Sequence, residues 1–170
     1  MLSLFVFEKE SGNKILAEVR EATEKDLKLT SGWQTNWTSD YVLKLPNKVA
    51  LVRKDNQELL GLMSYVSDGR MLAVEILYIE SAAHSNANLL NQKNETKKYL
   101  GIAKALFAHA VDVSLKEGFD GVLVFKAKTT ELVKYYIGEF GARHVGSYDP
   151  FRLVIWEDAA QSIISYYEKE

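Results

Sequence analysis

The chain has 170 residues and a formal charge of −2, with 47% hydrophobic and 26% charged side chains. That length holds one domain with a hydrophobic core, and the near-balanced charge gives no whole-chain attraction to nucleic acid or anionic lipid. Cysteine is absent, which excludes disulfides, cysteine-ligated zinc and cysteine nucleophiles.

Residues 2–7 are apolar, but no basic region precedes them and Glu8, Lys9 and Glu10 follow at once, a poor secretory signal. No stretch is long enough to span a bilayer, so a cytoplasmic location is expected. Ser11-Gly12-Asn13 reads as a turn, and residues 15–19 as a strand. Thr23 with Asp26 has the spacing of a capping box and opens a short helix. Residues 31–40 are polar yet hold Trp33 and Trp37, which suggests a loop or short helix near the surface. Three strands follow over residues 48–54, 58–66 and 71–81, an antiparallel meander with turns at 55–57 and 67–70.

Residues 82–96 are rich in Asn, Gln and Lys. The run 102–116 carries a helical apolar stripe at Ile102, Ala103, Leu106, Ala110 and Val113, and Gly118 ends it. The continuous apolar run 121–125 suits a strand buried on both faces. A helix is expected over 130–140, stopping at Gly141, then a strand over 151–156 and a terminal helix over 158–167. The unit from residue 71 to 125 is a parallel strand–helix–strand crossover. The predicted fold is α/β of the α+β type, a mixed, mostly antiparallel twisted sheet with helices on both faces, as one domain over 1–170.

One segment carries most of the functional information. Lys98-Tyr99-Leu100-Gly101-Ile102-Ala103 stands between a strand and a strong helix. The first amides of a helix lack intrahelical partners and meet an anion with the positive dipole end behind them. Gly101 lets the backbone approach that anion, because no Cβ intervenes.

This element order and segment resemble the GNAT superfamily of acyl-CoA N-acyltransferases. The family signature, Arg or Gln, two residues, Gly, one residue, then Gly or Ala, is met by Lys98, Gly101 and Ala103. The 132–142 segment also looks like the family's C-terminal half. Three departures stand out: Lys98 in place of Arg or Gln, a long link over 83–96, and Thr129 or Thr130 where many members have Asn. The resemblance implies a splayed central strand pair and direct transfer of an acyl group, acetyl in most members, from acyl-CoA to an amine in a ternary complex.

Three tasks follow from that implied chemistry. The backbone of residues 98–103, with the charge of Lys98, would hold the cofactor diphosphate, and the Thr129–Thr130 helix start would flank it. Backbone groups of Ile79, Glu80 and Ser81 would bond the pantetheine arm as an added strand. A lysine-like acceptor costs roughly 4–5 kcal/mol to deprotonate at pH 7, so a base is needed; Glu75 is the first candidate and Glu80 the second. The departing thiolate needs an acid, and Tyr136, or its neighbour Tyr135, occupies the region of the family's tyrosine.

Trp33, Trp37 and Tyr41 precede the second strand of the chain, at residues 48–54, where the family builds its acceptor pocket; core or dimer packing is the other use for such aromatics. Residues 83–96 read equally as a lid or a passive insertion. His84, His109 and His144 show no metal-ligand spacing, and no metal is expected. No Gly-x-Ser-x-Gly elbow appears. The expectation is an acetyl-CoA-dependent N-acetyltransferase whose partner is a small-molecule or peptide amine, with a homodimer allowed. The alternative is a non-catalytic module of the same fold that binds CoA or a protein.

Overall fold

The computed structural model describes residues 2–93 and 95–168; Asn94, within the polar segment, lies outside them. The strands are β1 (Phe5–Glu8), β2 (Lys14–Glu21), β3 (Lys48–Arg53), β4 (Leu59–Asp68), β5 (Ala73–Ser81), β6 (Tyr99–Leu100), β7 (Leu123–Lys126), β8 (Arg143–His144) and β9 (Arg152–Ile155). The helices are α1 (Glu24–Lys28), α2 (Asp40–Leu43), α3 (Ala87–Gln92), α4 (Ile102–Lys116), α5 (Thr130–Phe140) and α6 (Glu157–Glu168), with a 3-10 turn at Ala83–Ser85. None of the described helices is long and apolar enough to cross a membrane.

Hydrogen bonds order the described strands β6-β1-β2-β3-β4-β5-β7-β9-β8. The pairs β1–β2, β1–β6, β2–β3, β3–β4, β7–β9 and β8–β9 are antiparallel. β5 and β7 run parallel, as expected for a crossover through α4. Their register covers Val74–Leu123, Glu75–Val124 and Ile76–Phe125, and β5 runs on to Ser81. The mixed, mostly antiparallel sheet is therefore the predicted fold class.

The chain forms two compact units that interleave along the sequence. One takes residues 3–64 and 78–106, the other residues 65–77 and 107 onward, together with Leu2. β4, β5 and α4 each contribute residues to both.

In the first unit, Thr23 and Asp26 make the capping box, each accepting from the other's backbone amide. Asp26 is also gripped by both terminal nitrogens of Arg20, at 2.6 and 3.0 Å. The apolar segment 2–7 is the origin of β1, paired with β2 and β6. Its core gathers Leu27, Trp37, Val42, Ala50, Val52, Leu59 and Leu62. Trp37 is fully buried, against the expectation that 31–40 stays near the surface; its indole joins this cluster and stands edge-on to Tyr78.

Gly61 of β4 lies beneath the start of α4. A Cβ there would stand 2.9 Å from Ile102 Cγ2 and 3.0 Å from the Glu80 carbonyl oxygen.

In the second unit, the buried face of α4 is wider than the predicted stripe, adding Phe107 and Val111. Phe107 packs against Phe125, Tyr136 and Phe140. Helix α5 ends where Gly141 takes a left-handed φ of 68°. Ile137 of the same helix is exposed.

Gly61→Ala is expected to destabilise the protein by about 1–3 kcal/mol through overpacking against Ile102 and the β5 backbone. A urea midpoint equal to wild type would show that the Gly61 contact gives way without strain.

Candidate active site

The Gly101 turn is built by the strand before it and the helix after it. Tyr99 and Leu100 pair with Glu8 and Phe7 of β1, and the Lys9 amide donates to the Lys98 carbonyl at 3.0 Å. Gly101 then takes a φ of 94°, a conformation that disfavours any side chain. A Cβ at that position would meet nothing within 4 Å, so the turn faces open space. Among the described residues, the amides of Gly101, Ile102 and Ala103 have no hydrogen-bond acceptor. They are the orphan donors of α4, whose Ala105 amide bonds back to the Gly101 carbonyl.

The six-residue segment does not act as a uniform row of donors. The Lys98 amide is already used by the His84 carbonyl at 2.8 Å. The Tyr99 amide donates to Ser85 Oγ at 3.0 Å. The Lys98 ammonium pairs with Glu58 Oε2 at 2.9 Å. The charge read as a diphosphate ligand is thus answered within the protein, and that bond raises the Lys98 pKa.

Beneath the turn lies a polar cluster that sequence reasoning missed. The Tyr99 hydroxyl donates to Glu58 Oε1 at 2.5 Å and accepts from Arg53 Nη1 at 2.8 Å. Burial pushes the Tyr99 phenol up, and the Glu58 carboxylate adds to that. Burial opposes charge on Glu58 too, but hydrogen bonds from Tyr99 and Lys98 outweigh it and hold the carboxyl below its ordinary value. His84 is lowered, chiefly by burial. The one advance signal was a tyrosine inside the 98–103 segment.

At the end of β5, Glu80 is buried and its carboxylate accepts three donors. They are the Gln34 amide at 2.6 Å, the Thr35 amide at 3.0 Å and Trp37 Nε1 at 3.0 Å. The structure brings Glu80 and Trp37 together as one buried anchor. Trp33 is partly buried against the same core cluster, while Tyr41 is 66% exposed and stands edge-on to Tyr78. Ile79 and Ser81 are half-buried on the same strand.

The remaining predicted residues belong to the second unit. Glu75 is half-buried, with Arg152 Nη1 at 3.8 Å. It is in register with Val124, which packs with Ala73 and Val154. The adjacent Phe125 faces the other way and carries Phe107 and Tyr136. Glu75 and Tyr136 therefore project from opposite faces of the sheet, and no face holds both.

The Tyr136 ring is 8% exposed. Burial, with a smaller contribution from Tyr135, pushes its pKa up to about 12. Its hydroxyl has no partner among the described residues, and no fully buried side-chain oxygen or nitrogen there lacks one. The hydroxyl therefore reaches accessible space. Tyr135 is more exposed, at 44%. Thr129 caps α5, its hydroxyl accepting from the Leu132 amide at 3.1 Å, and Thr130 is exposed. Among the described residues no group of three or more His, Cys, Asp or Glu is placed to hold a metal ion.

The sequence matches no protein-family model and no curated protein. Solved structures are similar in shape. A GNAT-family acetyltransferase from Listeria monocytogenes has a TM-score of 0.55 at 11% identity, over 82% of this chain and 94% of its own. AtaTR, solved bound with AcCoA, has a TM-score of 0.57 at 16% identity, over 86% of this chain and 97% of its own. An IAA acetyltransferase from Bacillus cereus has a TM-score of 0.50 at 19% identity, over 82% of this chain and 98% of its own. The chain has the GNAT fold.

Glu80→Ala should cost about 3 kcal/mol or more, because it strands the buried donors of Thr35 and Trp37 and removes the part-buried bond of the Gln34 amide. Glu80→Gln should recover part of that loss, since one oxygen remains. Chemical denaturation checks both. Wild-type stability in Glu80→Ala would mean that the carboxylate anchors nothing.

Proposed function

We propose that this chain is an N-acyltransferase that moves an acetyl group from acetyl-CoA directly to a primary amine. The observation that carries the reading is the open Gly101 turn: three unpartnered amides at the start of a fifteen-residue helix, in a GNAT fold. Such donors stabilise a diphosphate through hydrogen bonds and the helix dipole together. That AtaTR, of the same fold, was solved with AcCoA supports the choice of cofactor.

In this reading the amides of Gly101, Ile102 and Ala103 take the diphosphate. The backbone of Ile79–Ser81 takes the pantetheine arm by strand addition. Lys98 contributes through Glu58 rather than as a direct ligand. Glu80, buried with three donors on its carboxylate, serves as an anchor. Glu75 is the base. It lies one residue before the end of the parallel register, and Arg152 steadies its carboxylate. Tyr136 is the acid. A pKa near 12 keeps its proton in place at neutral pH until a thiolate develops nearby. Tyr41 and Trp33 are offered to the acceptor, while Trp37 is committed to the core.

Calorimetry should show acetyl-CoA binding by wild type. Gly101→Glu should weaken it by roughly 100-fold or more, by placing a carboxylate where the diphosphate sits. Unchanged affinity would remove this cofactor site. A broad amine panel then tests turnover; binding without transfer to any amine would identify a non-catalytic module instead.

Tyr136→Phe should lower kcat by roughly 100-fold while leaving acetyl-CoA affinity near wild type. The wild-type rate should show no alkaline loss from this phenol until pH approaches its raised pKa, because the protonated form is the active one. Full turnover by Tyr136→Phe would reject the assignment.

A further inference from the structure

The long link before the Gly101 turn is tied down at its first turn rather than left as a passive insertion. On one side the His84 carbonyl and the Ser85 hydroxyl take the amides of Lys98 and Tyr99. On the other, Asn86 Nδ2 donates to Gln34 Oε1 at 3.1 Å, and the Gln34 amide donates to Glu80. We infer that Ser85, with His84 behind it, is a positioning residue for the cofactor: it fixes the backbone that enters the Gly101 turn and so aims the three open amides. The inference rests on the proposed role of that turn as the acetyl-CoA diphosphate site.

The hydrogen-bond directions follow from what each group can donate. His84 Nε2 lies 3.3 Å from the Leu59 carbonyl, an acceptor only, so Nε2 carries the proton. Burial favours the neutral imidazole, which leaves Nδ1 as an acceptor. Ser85 Oγ, 2.7 Å away, donates its proton to Nδ1 and turns a lone pair toward the Tyr99 amide. Ser85 is 3% exposed, so water does not replace this partner.

Tyr99 is thereby pinned at both ends, its amide by Ser85 and its phenol by Glu58 and Arg53. Only Leu100 and Gly101 separate it from α4. Edge pairing over two residues of β6 is too short to hold this entry alone. Without the Ser85 hydroxyl, a buried amide loses its acceptor, and the turn relaxes toward whatever restores one. The open donors then spread over several directions, and the diphosphate has to bear the cost of ordering them.

The test measures acetyl-CoA affinity of the full chain by calorimetry, and that of S-acetylpantetheine, which lacks the diphosphate, as a competitor at millimolar concentration. Ser85→Ala should bind acetyl-CoA roughly tenfold more weakly while its affinity for S-acetylpantetheine stays at the wild-type value. Ser85→Thr, which keeps the hydroxyl, should restore most of the loss. His84→Leu, which removes the acceptor for that hydroxyl, should act like Ser85→Ala, and it carries the test if Ser85→Ala does not fold. Unchanged acetyl-CoA affinity in both Ser85→Ala and His84→Leu overturns the inference. Equal weakening toward both ligands also overturns it, since that marks a general loss of structure. Failure of wild type to bind acetyl-CoA instead brings down the reading of the turn itself.

Discussion

The buried carboxylate of Glu80 is the constraint on which the first compact unit is organised. A carboxylate removed from water needs donors for its lone pairs, and its charge makes those bonds stronger than neutral ones. Two main-chain amides and an indole N–H meet that need. Satisfying it folds residues 34–37 inward, sets Trp37 at the centre of the core cluster, and fixes the end of β5. The same loop reaches Asn86 through the Gln34 side chain, and the chain leads from there to the Gly101 turn. One desolvated acid therefore fixes the register of several backbone segments that have no regular structure of their own.

The turn proposed to hold the diphosphate illustrates how charge can serve such a site indirectly. Lys98 sits where a cation would be expected to touch the ligand, yet its ammonium is bound to Glu58, which is also bound by Tyr99. Arg53 is likewise committed, to Asp55 and the Tyr99 hydroxyl. Both cations hold a tyrosine still, and the open donors at the turn are backbone dipoles. Such donors are fixed by the fold and need no side-chain ordering when a ligand arrives, which is the advantage that preorganisation confers.

Local patterns made much of this legible in the sequence. α4, α5 with its Gly141 stop, and the Thr23–Asp26 capping box all follow from periodicity and end signals within a few residues. The β3–β4–β5 meander does so as well, because its turns are short. β1, β6 and β8 did not emerge, since two to four residues are too few to show a strand's alternation, and β6 also depends on the distant β1. Glu80 and Trp37 were likewise readable only as a strand acid and an aromatic in a polar loop. Their meaning depends on a contact across more than forty positions, which no local pattern encodes. For the same reason the ion pair of Lys98 was not legible. Its partner, Glu58, stands forty residues earlier.

The interleaving of the two units bears on how the polypeptide emerges from the ribosome. The stretch 3–64 lacks its closing strands until residues 78–106 have been made. β1 in particular waits for Leu100 before its second edge is covered. Cotranslational assembly of this half must therefore lag well behind synthesis, with an apolar strand left unprotected in the meantime. A messenger truncated anywhere before that point would yield a fragment prone to sticking to its own kind.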